Sequence, residues 1–467
     1  MQEPLPKDSQ ESGPYPPTAY AWYVVVILTL AYVVSFIDRQ IMALMVEPIR
    51  RDLDISDTQI SLLLGLAFAI FYTVLGIPLG RLADKYNRRK IIVIGVTVWC
   101  LMTAACGLAR NYVQLFAARI GVGIGEAALS PSALSMISDY FPKETRARAV
   151  AVYTLGISIG VGLAMIIGGQ VVAYVFSAPP VSLPVVGTLF AWQTVFLVVG
   201  LPGLLVALLM ATVREPARRE QMQHTAADGT QSGTVPFLQG MLFLWTRKQM
   251  YLSHFLGLSV VGILSYGYYA WIPTMFIRTW NWTIEDIGLA YGVVTIVSGL
   301  LAVVLASWMA ERFTAKGYGD SHMRTVLWCS LVGIVSAIAA PLMPTPALSI
   351  VMLLPVSVGT SAATAAGLSA LMIVTPNQIR AQSSAMYFFT INILGLTIGP
   401  TGIALFTDYV FQDDSLLRYS VASVSILAGL FATGFLIYNL PHYAAMSKEA
   451  ESWENGGESF RKRGTGH

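Results

Sequence analysis

The sequence predicts an all-α integral membrane protein of twelve transmembrane helices arranged as two six-helix, pseudo-symmetric bundles. Three observations predict it: the composition, the recurrence of apolar windows long enough to cross a bilayer, and a weak repeat between the halves. Of 467 residues, 55% are hydrophobic and 12% charged, with a mean hydropathy of +0.63, whereas a soluble domain carries about one quarter charged residues. That excludes a soluble enzyme and a disordered scaffold. The formal charge of +3 is scattered along the chain, unlike the concentrated basic face that nucleic-acid binding needs. Cys100, Cys106 and Cys329 lie inside apolar runs and offer neither a disulfide framework nor a spaced metal site.

A window of about 20 apolar residues spans a membrane as a helix. Such windows occur near 22–46, 60–82, 91–108, 112–138, 147–176 and 190–213, and again near 251–276, 287–310, 326–342, 347–374, 385–406 and 416–440. The expected organisation is a cytoplasmic tail over 1–21, a first bundle over 22–213, a polar linker over 214–249, a second bundle over 250–441 and a cytoplasmic tail over 442–467. The first 21 residues are polar and Pro-rich, without the basic start and cleavage site of a signal peptide. With both termini inside, 22 of the 29 Lys and Arg residues fall on the cytoplasmic side. Five fall outside, at Arg50, Arg51, Arg110, Arg278 and Arg418, and Arg39 and Arg119 lie within spans. That asymmetry fixes the orientation, and the expected location is a bacterial inner membrane.

The halves share a faint repeat, as expected of transporters built from six-span units. Pro142 followed by Arg146-Ala147 recurs as Pro376 followed by Arg380-Ala381, Gly160 pairs with Gly395, and Ala83-Asp84-Lys85 matches Ala310-Glu311-Arg312.

The loop after the second span reads Gly80-Arg81-Leu82-Ala83-Asp84-Lys85-Tyr86-Asn87-Arg88-Arg89-Lys90 and resembles the G-x-L-a-D-r-x-G-r-r-k signature of the major facilitator superfamily. A basic membrane anchor would explain its cations but not Gly80, Asp84 or the turn. Asn87 stands where many members have Gly, and Asn replaces Gly well in a left-handed turn. The resemblance implies a conformational latch built from Gly80, Asp84, Arg88 and Arg89, in which Asp84 meets a helix N-terminus of the other half, where the dipole favours an anion.

The fourth span carries Arg119-Ile120-Gly121-Val122-Gly123-Ile124-Gly125-Glu126-Ala127, resembling the superfamily's R-x-x-q-G-x-g motif. Its glycines suit close helix packing. Arg119 and Glu126, seven residues apart, lie nearly on one face, and a charge near the bilayer centre costs about 2.5–3.5 kcal/mol unless it meets water or a partner. In the first span, Asp38 and Arg39 point about 100° apart, so each needs another partner. Rise per residue puts Asp38 and Arg119 at similar depth and Glu126 about 10 Å further in. Asp38 ionised is therefore expected to pair with Arg119 and, protonated, to release it, which would couple protons to the conformational equilibrium. Arg39 and Glu126 are candidates for the polar end of a cargo, Glu126 also for a second protonation event. Tyr269, Tyr387 and Asn392 are candidates for an uncharged, aromatic wall in the second half.

The Asp38-Arg39 pair, the Asp84-Lys85-Tyr86-Asn87-Arg88 loop, the fourth-span motif and Asp139-Tyr140-Phe141 with Arg146-Ala147-Arg148 together resemble the spinster branch of that superfamily. The resemblance implies a monomeric proton-coupled transporter of a lipid-like amphiphile, a lysophospholipid or a sphingolipid such as sphingosine phosphate. Its partners are the cargo, protons and membrane lipids, with the proton gradient in place of a cofactor. The alternative is a proton-coupled symporter of small organic anions or sugar acids. Helix five has Ala164-Met165 where drug-proton antiporters would have Gly-Pro; that pair occurs at Gly399-Pro400. An intramembrane enzyme would need a nucleophile and base or a metal cluster in the spans, and no H-E-x-x-H occurs.

Overall fold

A computed structural model describes residues 15–184, 187–218 and 237–454. Among the described residues, twelve helices are long and apolar enough to cross a membrane. The first half comprises α1 (Thr18–Leu44), α2 (Asp57–Gly76), α3 (Arg88–Cys106), α4 (Tyr112–Tyr140), α5 (Glu144–Ser177) and α6 (Ala191–Thr212). The second comprises α7 (Lys248–Trp280), α8 (Ile284–Ala315), α9 (Ser321–Leu342), α10 (Pro346–Ile373), α11 (Gln382–Phe411) and α12 (Asp414–Ala450). Each coincides with one predicted window.

Polar residues in the short loops start the helices. Ser56 and Gln59 form a reciprocal capping box at α2, and Asn87, Asn111, Thr283 and Thr345 each accept a backbone N–H at the start of α3, α4, α8 and α10, satisfying donors left over in the first helical turn. Asn87 has φ −65° and ψ 111°, so it is an N-cap and not the left-handed residue expected from its place in the motif.

Four elements depart from the sequence reading. A short helix, Val46–Leu53, connects α1 to α2 and carries Glu47, Arg50 and Arg51; at eight residues it is far too short to span a bilayer. The stretch read as a linker contains the helix Phe237–Thr246, while residues 219–236 lie outside the described residues. The last helix passes through Pro441 to Glu454, so the expected tail begins as helix; residues 455–467 and 1–14 lie outside the described residues. A two-stranded hairpin, Ser182–Leu183 with Gly187–Thr188, occupies the α5–α6 loop.

The packing differs between the two ends of the molecule. Toward the end holding the α1–α2 and α7–α8 loops, one hydrophobic cluster runs through both halves, joining Ile41, Leu44 and Met45 to Trp271, Met275, Ile287 and Ile403. Toward the opposite end, which carries the basic α2–α3 loop, the second half has a separate core that includes Phe243, Tyr251, Val374 and Met446. The halves are thus joined at the far end and separate at the basic end.

Polar contacts reinforce that closure. Arg278 of α7 donates to Asp57 of α2 at 2.7 and 2.9 Å and to Glu47 at 2.6 Å. Arg50 lies 3.0 Å from Asp57 and donates at 2.8 Å to Asp414 at the start of α12. Thr58 donates to Asp408 of α11 through its amide and hydroxyl, at 2.7 and 2.6 Å. Deeper in, Gly65 interrupts α2, between helical segments Asp57–Leu64 and Leu66–Lys85, and a side chain there would collide with the carbonyl oxygen of Leu396. Pro400, four residues on, has no N–H to give that carbonyl.

Candidate functional site

Close approach of helices sets the site. A Cβ added at Gly123 of α4 would lie 2.6 Å from the Phe68 carbonyl oxygen of α2, and one at Gly125 2.6 Å from the Trp99 amide nitrogen of α3. These contacts hold α4 against α2 and α3 and turn Arg119 and Glu126 toward α1.

Glu126 and Arg39 form a buried ion pair, with Arg39 Nη2 2.5 Å from Glu126 Oε2, and Ser35 donates to the same oxygen at 3.0 Å. The Arg39 guanidinium lies over three rings, 4.7 Å from the Phe36 centroid, 4.3 Å from Phe68 and 4.9 Å from Tyr72. Aromatic faces attract a cation most strongly where water is excluded. Arg39 Nε and Glu126 Oε1 have no hydrogen-bond partner, so each ion retains a buried polar atom free to meet another group.

Asp38 is fully buried, and neither carboxylate oxygen has a partner. Arg119 does not pair with it. Its guanidinium donates instead to two backbone carbonyls, Leu63 at 3.3 Å and Asp38 itself at 3.4 Å, and its Nη2 is unpartnered. The side-chain pair expected from their common depth is absent in this conformation. Arg119 reaches the backbone of Asp38, but the break in α2 at Gly65 leaves the Leu63 carbonyl exposed to it, and neutral acceptors take the place of the charged one. Thr103 and Trp99 of α3 are the polar side chains that face the Asp38 carboxyl, and Thr103 Oγ1 and Trp99 Nε1 are also unpartnered.

In the second half, Tyr266 of α7 donates to Asn392 Oδ1 of α11 at 2.9 Å, within electrostatic reach of Arg39 and Tyr72 across the interface. Tyr269 is half-buried beside Tyr266 and Tyr291. Tyr387 is not on this wall. It is fully buried in the core of the second half, its hydroxyl donating to Thr364 at 2.8 Å and its ring beside His254 and Phe255. Tyr387 and Asn392, five residues apart, point to different sides of α11, and only Asn392 reaches Tyr266. Phe68 and Tyr72 are site residues that the charge-led reading passed over; only their helical spacing beside a buried cation could have drawn attention to them.

The loop residues Gly80, Asp84, Arg88 and Arg89 separate into two groups. Arg88 is buried and donates to Glu215 at 2.8 Å, Ser135 Oγ at 3.0 Å, Pro216 O at 3.2 Å and Asp139. The Arg89 amide donates to Glu215 at 2.9 Å, so these arginines tie α3 to α4 and to the segment after α6. Asp84 is exposed and reaches no helix of the other half. A Cβ added at Gly80 would meet only the Pro131 side chain, at an ordinary 3.7 Å.

The family model described as Major Facilitator Superfamily matches residues 28–400. The chain belongs to the major facilitator superfamily. This family membership makes it a transporter and not an enzyme. A relative named an MFS-type efflux pump, from Mycolicibacterium smegmatis, is 26% identical over 428 residues, covering 90% of this chain and 92% of its own. A protein of Escherichia coli named "Probable L-galactonate transporter" is 23% identical over 322 residues, 68% of this chain and 66% of its own. A crystal structure described as a bacterial homolog of the human lysosomal transporter spinster, inward-facing and unoccupied, matches with a TM-score of 0.73 at 25% identity over 95% of this chain and 100% of that one. This major facilitator therefore has a spinster-like fold.

Proposed function

We propose that this chain is a proton-coupled transporter of a lipid-like amphiphile whose head group carries both signs of charge, such as a lysophospholipid or sphingosine phosphate. The observation that carries the reading is the Arg39–Glu126 pair enclosed by Phe36, Phe68 and Tyr72 and facing Tyr266. A zwitterionic head can replace each ion's partner, phosphate at Arg39 and ammonium at Glu126, without leaving either charge uncompensated. A simple anion would satisfy Arg39 and strand Glu126. The aromatic walls on both halves suit an acyl chain.

The basic end is read as cytoplasmic from its excess of Lys and Arg, which makes the present arrangement inward-facing. Asp38 is the proton site: an unpartnered buried carboxyl is far less costly neutral than charged. On losing its proton it turns to the free Nη2 of Arg119, whose Nη1 already contacts the Asp38 backbone. Breaking or making that pair changes the relative energy of the two access states. Asp84, exposed here, is assigned to the opposite state, in which the basic end closes.

Transport of small organic anions is the second reading, favoured by the likeness to the L-galactonate transporter. Equilibrium binding of labelled lysophosphatidylcholine, competed by unlabelled sphingosine phosphate or by a sugar acid, separates the two. Competition by the lipid only, weakened in Glu126→Gln and Arg39→Ala, is expected; lipid binding that survives both substitutions removes these residues from the site.

A further inference from the structure

Outside the central site, the membrane-facing surface between α7 and α12 carries a groove of about 560 Å3 lined by both helices, within the size range of small-molecule pockets. Gly434 forms its floor: a Cβ placed there meets no atom within 4 Å. Its walls are Leu252, Leu430 and Phe431, the last two 68% and 63% exposed. At the basic end, Lys248 stands at the mouth with Tyr438 beside it. Lys248 has the Trp245 ring 5.2 Å away and no carboxylate partner among the described residues, whereas the neighbouring Arg247 is neutralised by Glu449 at 2.5 Å.

We propose that this groove binds one anionic glycerophospholipid of the surrounding bilayer, its phosphate at Lys248 and one acyl chain along Leu252, Leu430 and Phe431 over Gly434. The polarity runs the right way for a lipid. The cation, Trp245 and Tyr438 lie at the level where a helix leaves the membrane, where aromatic and basic side chains meet head groups, and the apolar walls lead toward the bilayer centre. A cation at the mouth with no carboxylate partner among the described residues selects negative charge, and the gap above Gly434 admits a chain where a larger residue would fill it. The groove is separate from the Arg39–Glu126 site and does not depend on what the protein transports.

Native mass spectrometry of the full chain, released from detergent with equal amounts of dioleoyl-phosphatidylglycerol and dioleoyl-phosphatidylcholine, tests this. Retention of the glycerol lipid about fivefold above the choline lipid is expected from one basic residue at the interface. Lys248→Gln should abolish that preference, and Gly434→Phe should lower retention of both lipids. If Gly434→Phe does not fold, Leu252→Trp fills the same groove from α7. Equal retention of the two lipids by the wild type, or wild-type selectivity in Lys248→Gln, overturns the proposal, as does undiminished retention in the filled variant.

Discussion

Asp57→Asn removes the charge on which two guanidinium groups converge at the closed end of the molecule. Asp57 is completely buried; it accepts two bonds from Arg278 across the boundary between the halves and a third contact from Arg50 of its own half. Removing one partner of a buried ion pair costs about 3–5 kcal/mol. Arg278 keeps Glu47, and Arg50 keeps Asp414, both at more exposed positions, so about 2 kcal/mol is the net loss expected for the closed far end, a factor of about 30 in the equilibrium. Cys100, Cys106 and Cys329 are buried, so spin labels can be placed at Arg51→Cys and Glu285→Cys, one on each half, with little background. Double electron–electron resonance should show the longer distance gaining population by about that factor in Asp57→Asn. A folded variant with an unchanged distance distribution would refute the assignment of these ion pairs as the lock.

Gly65→Ala should shift the same label pair toward the longer distance, because its Cβ would collide with the Leu396 carbonyl of the other half in the closed far end. Glu126→Gln strands the buried Arg39 charge and should destabilise the protein by about 3 kcal/mol; the double variant Arg39→Gln/Glu126→Gln should recover part of that in thermal unfolding. Asp84→Asn should leave the present state untouched and depopulate the state in which the basic end closes, visible with labels on the basic-end loops. Arg88→Lys keeps a charge but loses the fork that reaches Glu215, Ser135 and Asp139 at once, and should lower thermal stability with cargo affinity unchanged.

The twelve spans and their two-bundle arrangement were legible because a bilayer imposes one length and one composition on every crossing, and each window maps onto one helix. The charged positions of the site were legible for the same reason: a titratable residue in an apolar helix is costly and so conspicuous. Partner choice was not. Asp38, Arg39, Arg119 and Glu126 are four ions with several pairings compatible with helical depth, and the outcome turns on Gly65, whose break in α2 supplies Arg119 with a carbonyl. Aromatic residues carried still less information. Tyr266, Tyr269 and Tyr387 look alike in sequence, yet Tyr387 anchors a helix core and Tyr266 faces the other half, a difference set by packing that no period records. The lock at Asp57 and Arg278 was hidden because charges near helix ends are ordinary; only the fold brings α2 and α7 together.

Proton flux into reconstituted vesicles carrying a pH-sensitive dye, recorded on adding lysophosphatidylcholine or sphingosine phosphate beside a panel of sugar acids, tests the central claim most directly. The account predicts lipid-dependent flux in the wild type and none in Asp38→Asn. Flux with sugar acids alone, or pH-dependent transport at the wild-type rate in Asp38→Asn, would contradict it.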